Sequence, residues 1–150
     1  MKVGQLLLSV LGLPLIAHAQ TYTKTETIEY HDDTALWVLG QVKRTTTDGV
    51  ETSRVDTYWK ALPVKTYAFG KFQQTIGYYN SSGNISHIVD GNNNLTAFFG
   101  WKRGIPQAIH HPDGTIQYAG VSDDGLITSI TDENGFVTGY GYDAMGRLTS

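Results

Sequence analysis

His110 and His111, with Asp113 close behind, are the one grouping in this 150-residue chain that invites a metal-centre reading. Zinc needs imidazole, thiolate or carboxylate donors converging on a point. Successive residues of a strand face opposite ways, so both rings cannot easily reach one ion, and no metal is expected. Asp143 is the acid a catalytic reading would pick, yet it heads the run Asp143-Ala144-Met145-Gly146. There its carboxylate can accept the backbone N–H two residues on, while Gly146 takes a left-handed conformation. Serine, histidine and aspartate all occur, but without a Gly-x-Ser-x-Gly elbow, a His-Glu-x-x-His helix or a phosphate-cradling loop. No pattern selects a glycosidase-type carboxylate pair. The expectation is a non-enzymatic protein with no catalytic, cofactor-binding or metal-binding residues. Aromatic rings are the remaining chemistry: Trp101, Tyr118, Tyr140 and Tyr142 are the residues for possible glycan contact. The competing reading stacks Tyr140 and Tyr142 across repeats with Phe98 and Tyr79 as an internal ladder, each pair contributing roughly 0.2–1 kcal/mol.

The elements that must carry these residues are set by a repeat. Gly83, Gly104, Gly125 and Gly146 fall at an interval of 21, and other columns shift with them: Ile88, Ile109 and Ile130, then Asn93, Gly114 and Gly135. Each of the last three ends a polar cluster such as Asp132-Glu133-Asn134-Gly135, whose residues favour positive φ or bond their own backbone. Between clusters lie β-branched and aromatic runs: Ile85 to Val89, Leu95 to Trp101, Thr115 to Tyr118, Leu126 to Ile130 and Phe136 to Tyr142. A turn about every ten residues with strand-type segments between predicts consecutive antiparallel β-hairpins, about 21 residues per repeat. Tyr140 and Tyr142, two apart, share one face, with Phe98 in the column of Tyr140 and Tyr79 in that of Tyr142. The sequons at Asn80, Asn84 and Asn94 read as turn asparagines.

Upstream the pattern stays β. Thr21 to Tyr30 alternates like a half-wet edge strand, and Asp48-Gly49 between Val42–Thr47 and Val50–Val55 is a strong hairpin signal. Pro63 and Gly70 punctuate the next stretch, predicting strands at Lys65–Phe69 and Phe72–Tyr79. The register of 21 is not recognisable before about Gly77, so the division is a β-rich lead segment, 20–76, and repeats, 77–150, the last unit incomplete. No helical periodicity follows residue 20, and the expected fold class is all-β.

Met1-Lys2, the apolar run Gln5 to Ile16 and Ala17-His18-Ala19 form a secretory signal peptide, 1–19, cut before Gln20. Gly12 and Pro14 make the run a poor bilayer span, so no membrane span is expected after cleavage. Losing Lys2 takes the formal charge from -3 to -4. That mild acidity offers no footprint for nucleic acid. With no cysteine there is no disulfide and no thiol for a lipid anchor.

At Tyr140-Gly141-Tyr142-Asp143-Ala144-Met145-Gly146-Arg147-Leu148 the chain resembles the YD repeat of the RHS family, and Asp132 to Thr138 supplies the second half of that unit. Tyr79-Asn80-Ser81-Ser82-Gly83, Trp101-Lys102-Arg103-Gly104 and Ser122-Asp123-Asp124-Gly125 are degenerate versions. The repeat-motif residues are thus Tyr140, Tyr142, Asp143, Gly146 and Arg147, with Gly83, Gly104 and Gly125 in earlier units. Arg147 is expected to pair with Asp132 or Asp143. The resemblance implies a secreted or cell-surface protein whose hairpins spiral into a β-shell. In bacterial relatives that shell encloses a C-terminal toxin, and in others the repeats are linked to cell contact and carbohydrate. The implied partners are the remainder of a longer RHS polypeptide or its C-terminal toxin, and cell-envelope carbohydrate.

Overall fold

The computed structural model describes residues 23–149. The signal peptide expected at 1–19 lies outside them. Eleven strands follow one another: β1 Glu26–Asp33, β2 Val38–Thr47, β3 Val50–Trp59, β4 Leu62–Ala68, β5 Lys71–Tyr78, β6 Ile85–Asp90, β7 Leu95–Phe99, β8 Ala108–His110, β9 Ile116–Val121, β10 Ile127–Thr131 and β11 Val137–Gly139. All belong to one open sheet in chain order, each antiparallel to its neighbours. No helix occurs among the described residues, and none there is long and apolar enough to cross a membrane. The all-β architecture of consecutive hairpins follows from the turn chemistry. Asp48-Gly49 (φ +49° and +80°) joins β2 to β3 and Phe69-Gly70 (+49° and +72°) joins β4 to β5. Both carry the paired positive φ values that match strand twist in a two-residue hairpin.

One strand boundary differs from the sequence expectation. β4 begins at Leu62 and contains Pro63, where a break was expected. Pro63 pairs with Tyr58 of β3, but pairing with β5 starts only at Lys65↔Thr75, so the missing N–H of proline interrupts no ladder on that side. The division expected at 76/77 falls inside β5, and the sheet runs through it uninterrupted.

Residues paired across neighbouring strands share a face. One face carries Ile76↔Ile88, Phe98↔Ile109 and Ala119↔Ile130, and the other carries Gly77↔His87, Ala97↔His110 and Ala108↔Tyr118. The molecule is a single layer, so its interior is thin: Ile76 and Val121 are the buried hydrophobic side chains among the described residues. Close approach replaces deep burial at Gly77, where an added Cβ would stand 2.1 Å from the His87 ring. At the other end of the chain a polar row crosses five strands, Glu29↔Arg44↔Arg54↔Tyr67↔Phe72. The facing like charges of Arg44 and Arg54 are neutralised by Glu29, Glu51 and Asp56, and the Arg54 guanidinium lies 3.8 Å above the Tyr67 ring.

Candidate functional site

The repeat motif resolves into two devices, a capped turn and an aromatic that reaches back across the sheet. In the turn at Asp143, Oδ1 accepts the N–H groups of Met145 and Arg147, both at 2.9 Å, and Oδ2 accepts from Arg147 Nε at 2.6 Å. The Gly146 N–H closes the turn onto the Asp143 carbonyl with φ +75°. Half a repeat earlier, Asp132 caps Asn134 and Phe136 in the same way, and Asp90 caps Asn92 and Asn94, with Asn93 (φ +67°) in the glycine place. Ser122 Oγ does this for Leu126, and where His111 occupies the column Asp113 takes over, accepting from the Thr115 N–H and hydroxyl. Gly83, Gly104 and Gly125 all hold positive φ, as their column requires.

These bonds decide the acid–base chemistry. Asp143 is held below the usual carboxylate range by the Arg147 N–H and side chain, Asp90 by Asn94, and Asp113 by Thr115. Asp123 is lowered by Lys102 and Glu29 by Arg44. A carboxylate tuned down is ionised and only accepts, which is the reverse of what a general acid needs.

The second device sits where hairpin interfaces part. Pairing between β2 and β3 begins at Arg44↔Arg54, between β4 and β5 at Lys65↔Thr75, between β6 and β7 at His87↔Ala97, and between β10 and β11 at Ser129↔Gly139. Two residues before each of these, a carbonyl would lose its ladder partner. Val42 O instead accepts from the Tyr58 hydroxyl, Pro63 O from Tyr78 at 2.7 Å, Ile85 O from Trp101 Nε1 at 2.8 Å, and Ile127 O from Tyr142 at 2.7 Å. An unpaired carbonyl in a half-buried sheet is costly, and each ring also covers apolar surface. Burial raises the Tyr58 and Tyr78 hydroxyls above the ordinary tyrosine range, keeping them protonated donors. This device reaches upstream of residue 77, into the segment where no repeat was legible.

The residues singled out from sequence distribute as follows. Trp101 packs beside Phe98 with ring centroids 6.2 Å apart. Tyr140 and Tyr142 line one apolar groove with Ile127, Ile130 and Leu148. Tyr118 pairs with Ala108 and Thr131 on the opposite face, half-exposed. The four are not brought together. Phe98 in β7 and the end of β11 are four strand spacings apart, about 19 Å at roughly 4.8 Å each. The expected aromatic ladder does not form: no ring pair among the described residues joins Tyr140 or Tyr142 to Phe98 or Tyr79. The rings meet backbone and aliphatic side chains instead. Arg147 pairs with Asp143 of its own turn, and Asp132 keeps to its own cap. His110 lies against Phe99 at 4.7 Å, and His111 Nε2 stands 3.4 Å from Glu133 Oε1 outside hydrogen-bond geometry. No cluster among the described residues could hold a metal ion.

Comparison with known proteins follows the same residues. The family described as RHS Repeat matches residues 122–150, the span from the Ser122 turn through the Asp143 turn. Teneurin-4 of Mus musculus is 26% identical over 122 aligned residues, which cover 67% of this chain and 4% of that protein.

Proposed function

From the premise that this chain carries RHS/YD repeats, we propose that it is a non-enzymatic scaffold, a stretch of wall in a larger RHS-type β-shell outside the cell or at its surface. The observation that carries this reading is the single open sheet in which chemistry-bearing side chains are spent on backbone: Asp90, Asp132 and Asp143 on turns, and Tyr58, Tyr78, Trp101 and Tyr142 on flared carbonyls. A layer this thin gains stability by packing onto further layers or strands. In this reading the partners are the rest of a longer RHS polypeptide and, as in the bacterial relatives that the motif resembles, a toxin held behind the wall. Export is through the signal at 1–19. Carbohydrate binding at the cell envelope is the second reading. The spread of its aromatic residues over about four strand spacings, with Tyr118 on the opposite face, favours the scaffold.

The test is the intact mass of the product exported by the native host, read with the DNA after the Ser150 codon. A much heavier product with further units at the 21-residue spacing supports the wall. A stable product of about this length that binds envelope polysaccharide, and loses binding in Trp101→Ala or Tyr142→Ala, overturns it for the second reading.

A further inference from the structure

One hairpin interface lacks the aromatic. Shifting the groove at β10–β11 back by one repeat turns Ile127, Ile130, Tyr140, Tyr142 and Leu148 into Pro106, Ile109, Ala119, Val121 and Ile127. Both tyrosine columns therefore hold small residues at β8–β9. The place of the missing rings is a half-open cleft of about 170 Å³, lined by Ile105, Pro106, Ile109, Ala119, Ile127 and Ile130 together with Gln117 and Tyr118. A cavity of about 150 Å³ lined by aliphatic side chains is enough to bind benzene. The Pro106 carbonyl stands in the column of Ile127, whose carbonyl takes the Tyr142 hydroxyl, and among the described residues it accepts no hydrogen bond. The neighbouring Gln107 carbonyl is already taken by the Ala119 N–H at 3.0 Å. A mostly apolar cleft the size of one ring, with Pro106 and its unpaired carbonyl in the lining, matches an aryl group bearing one donor.

We propose that the β8–β9 cavity is a binding site for a small free phenol, with the ring over Ala119 and between Ile109 and Ile130 and the hydroxyl on the Pro106 carbonyl. The internal precedent is Tyr142 one repeat on, which places a phenol against Ile127 and Ile130 with its hydroxyl on the Ile127 carbonyl. The donor gives selectivity, since a half-buried acceptor that a hydrocarbon covers without pairing disfavours that otherwise isosteric ligand.

The experiment titrates p-cresol, toluene and N-acetyl-tyrosinamide into the full-length chain, following methyl resonances of Ile109, Ala119, Val121 and Ile127. Saturable one-to-one shifts at these methyls, with p-cresol bound at least about tenfold tighter than toluene, support the site; tenfold corresponds to about 1.4 kcal/mol, within the range for an unsatisfied acceptor. Ala119→Tyr, which restores the ring column, should abolish those shifts while keeping the strand pattern. Equal binding of toluene and p-cresol overturns the assignment of the hydroxyl to Pro106, and no binding of either overturns the site. Binding of N-acetyl-tyrosinamide without p-cresol overturns the free ligand and makes the cavity a receptor for a polypeptide tyrosine. The p-cresol and toluene pair decides the matter on the unmodified protein even where Ala119→Tyr does not fold.

Discussion

Strands in β1–β5 run seven to ten residues and are joined at Asp48-Gly49, Lys60-Ala61 and Phe69-Gly70 by two-residue turns, whereas in β6–β11 they run three to six residues. The first region shares the ring-to-carbonyl bonds, from Tyr58 and Tyr78, and adds side chains that meet across long strands, as in the row from Glu29 to Phe72. The second depends more on side chains that return to backbone, with carboxylate-capped turns beside the ring-to-carbonyl bonds, since a three-residue strand offers too few ladder bonds to fix itself. Asp132 and Asp143 fix the turns on either side of β11, and Tyr142 closes the gap behind it. The difference teaches that the motif residues are joints. Where the strand is long the joint adds to a ladder that already fixes the register, and where it is short the joint carries the register.

The comparison breaks most readily at the seam between the regions. Gly77→Ala drives a methyl into the His87 ring and should cost roughly 1–3 kcal/mol, like other overpacked sites. Adding His87→Ala should recover much of that loss, and the double-mutant cycle in urea unfolding checks it. In the turn-held region, Gly146→Val forces a β-branched residue to φ +75° at about 1–3 kcal/mol of local strain. Its effect should appear as lost ordering of 141–149 with β2–β5 unchanged by residue-resolved NMR. Tyr142→Phe leaves the ring and removes the bond to Ile127, costing about 0.5–1.5 kcal/mol in the thermal or urea transition. An equal transition would make the hydroxyl incidental.

Acid sharpens the same contrast. Asp90, Asp113 and Asp143 are lowered in the folded chain, so the folded state binds fewer protons than the unfolded state just below the ordinary aspartate range. Their contribution is complete above the unfolded value and is lost as pH falls through the folded value. The Met145 and Arg147 amide shifts should therefore titrate below about pH 4, the ordinary aspartate value. A midpoint at or above that value would remove the capping bonds from the account. The smallest effect belongs to the lead segment: Glu29→Gln opens an exposed pair with Arg44 and should leave the midpoint within error at physiological salt.

Much of this was legible in the residues. Asp48-Gly49 and the 21-residue glycine columns announce the hairpins because few residues tolerate positive φ. Asp143 was readable as a cap because its partners lie two and four residues away. The aromatic bonds were not, because each joins a ring to a carbonyl 15 or 16 residues upstream, and a carbonyl has no sequence signature. The same blindness produced the expected ladder: two tyrosines on one face suggest stacking only until the flared carbonyl is seen. β4 was clipped at Pro63 because proline reads as a break unless the unpaired side of the strand is known. Gly77 marked only where the 21-residue register becomes recognisable, and only the fold brings His87 over it.

Amide hydrogen exchange at Met145 and Arg147, compared between the unmodified chain and Asp143→Ala at one pH, tests most directly whether the Tyr-Asp motif is a structural joint. The account predicts that both amides are protected by the Asp143 carboxylate and exchange markedly faster in the variant, while amides of β2–β5 keep their protection. Unchanged protection at Met145 and Arg147 in Asp143→Ala would contradict it, and would leave that carboxylate free for a role other than holding the turn.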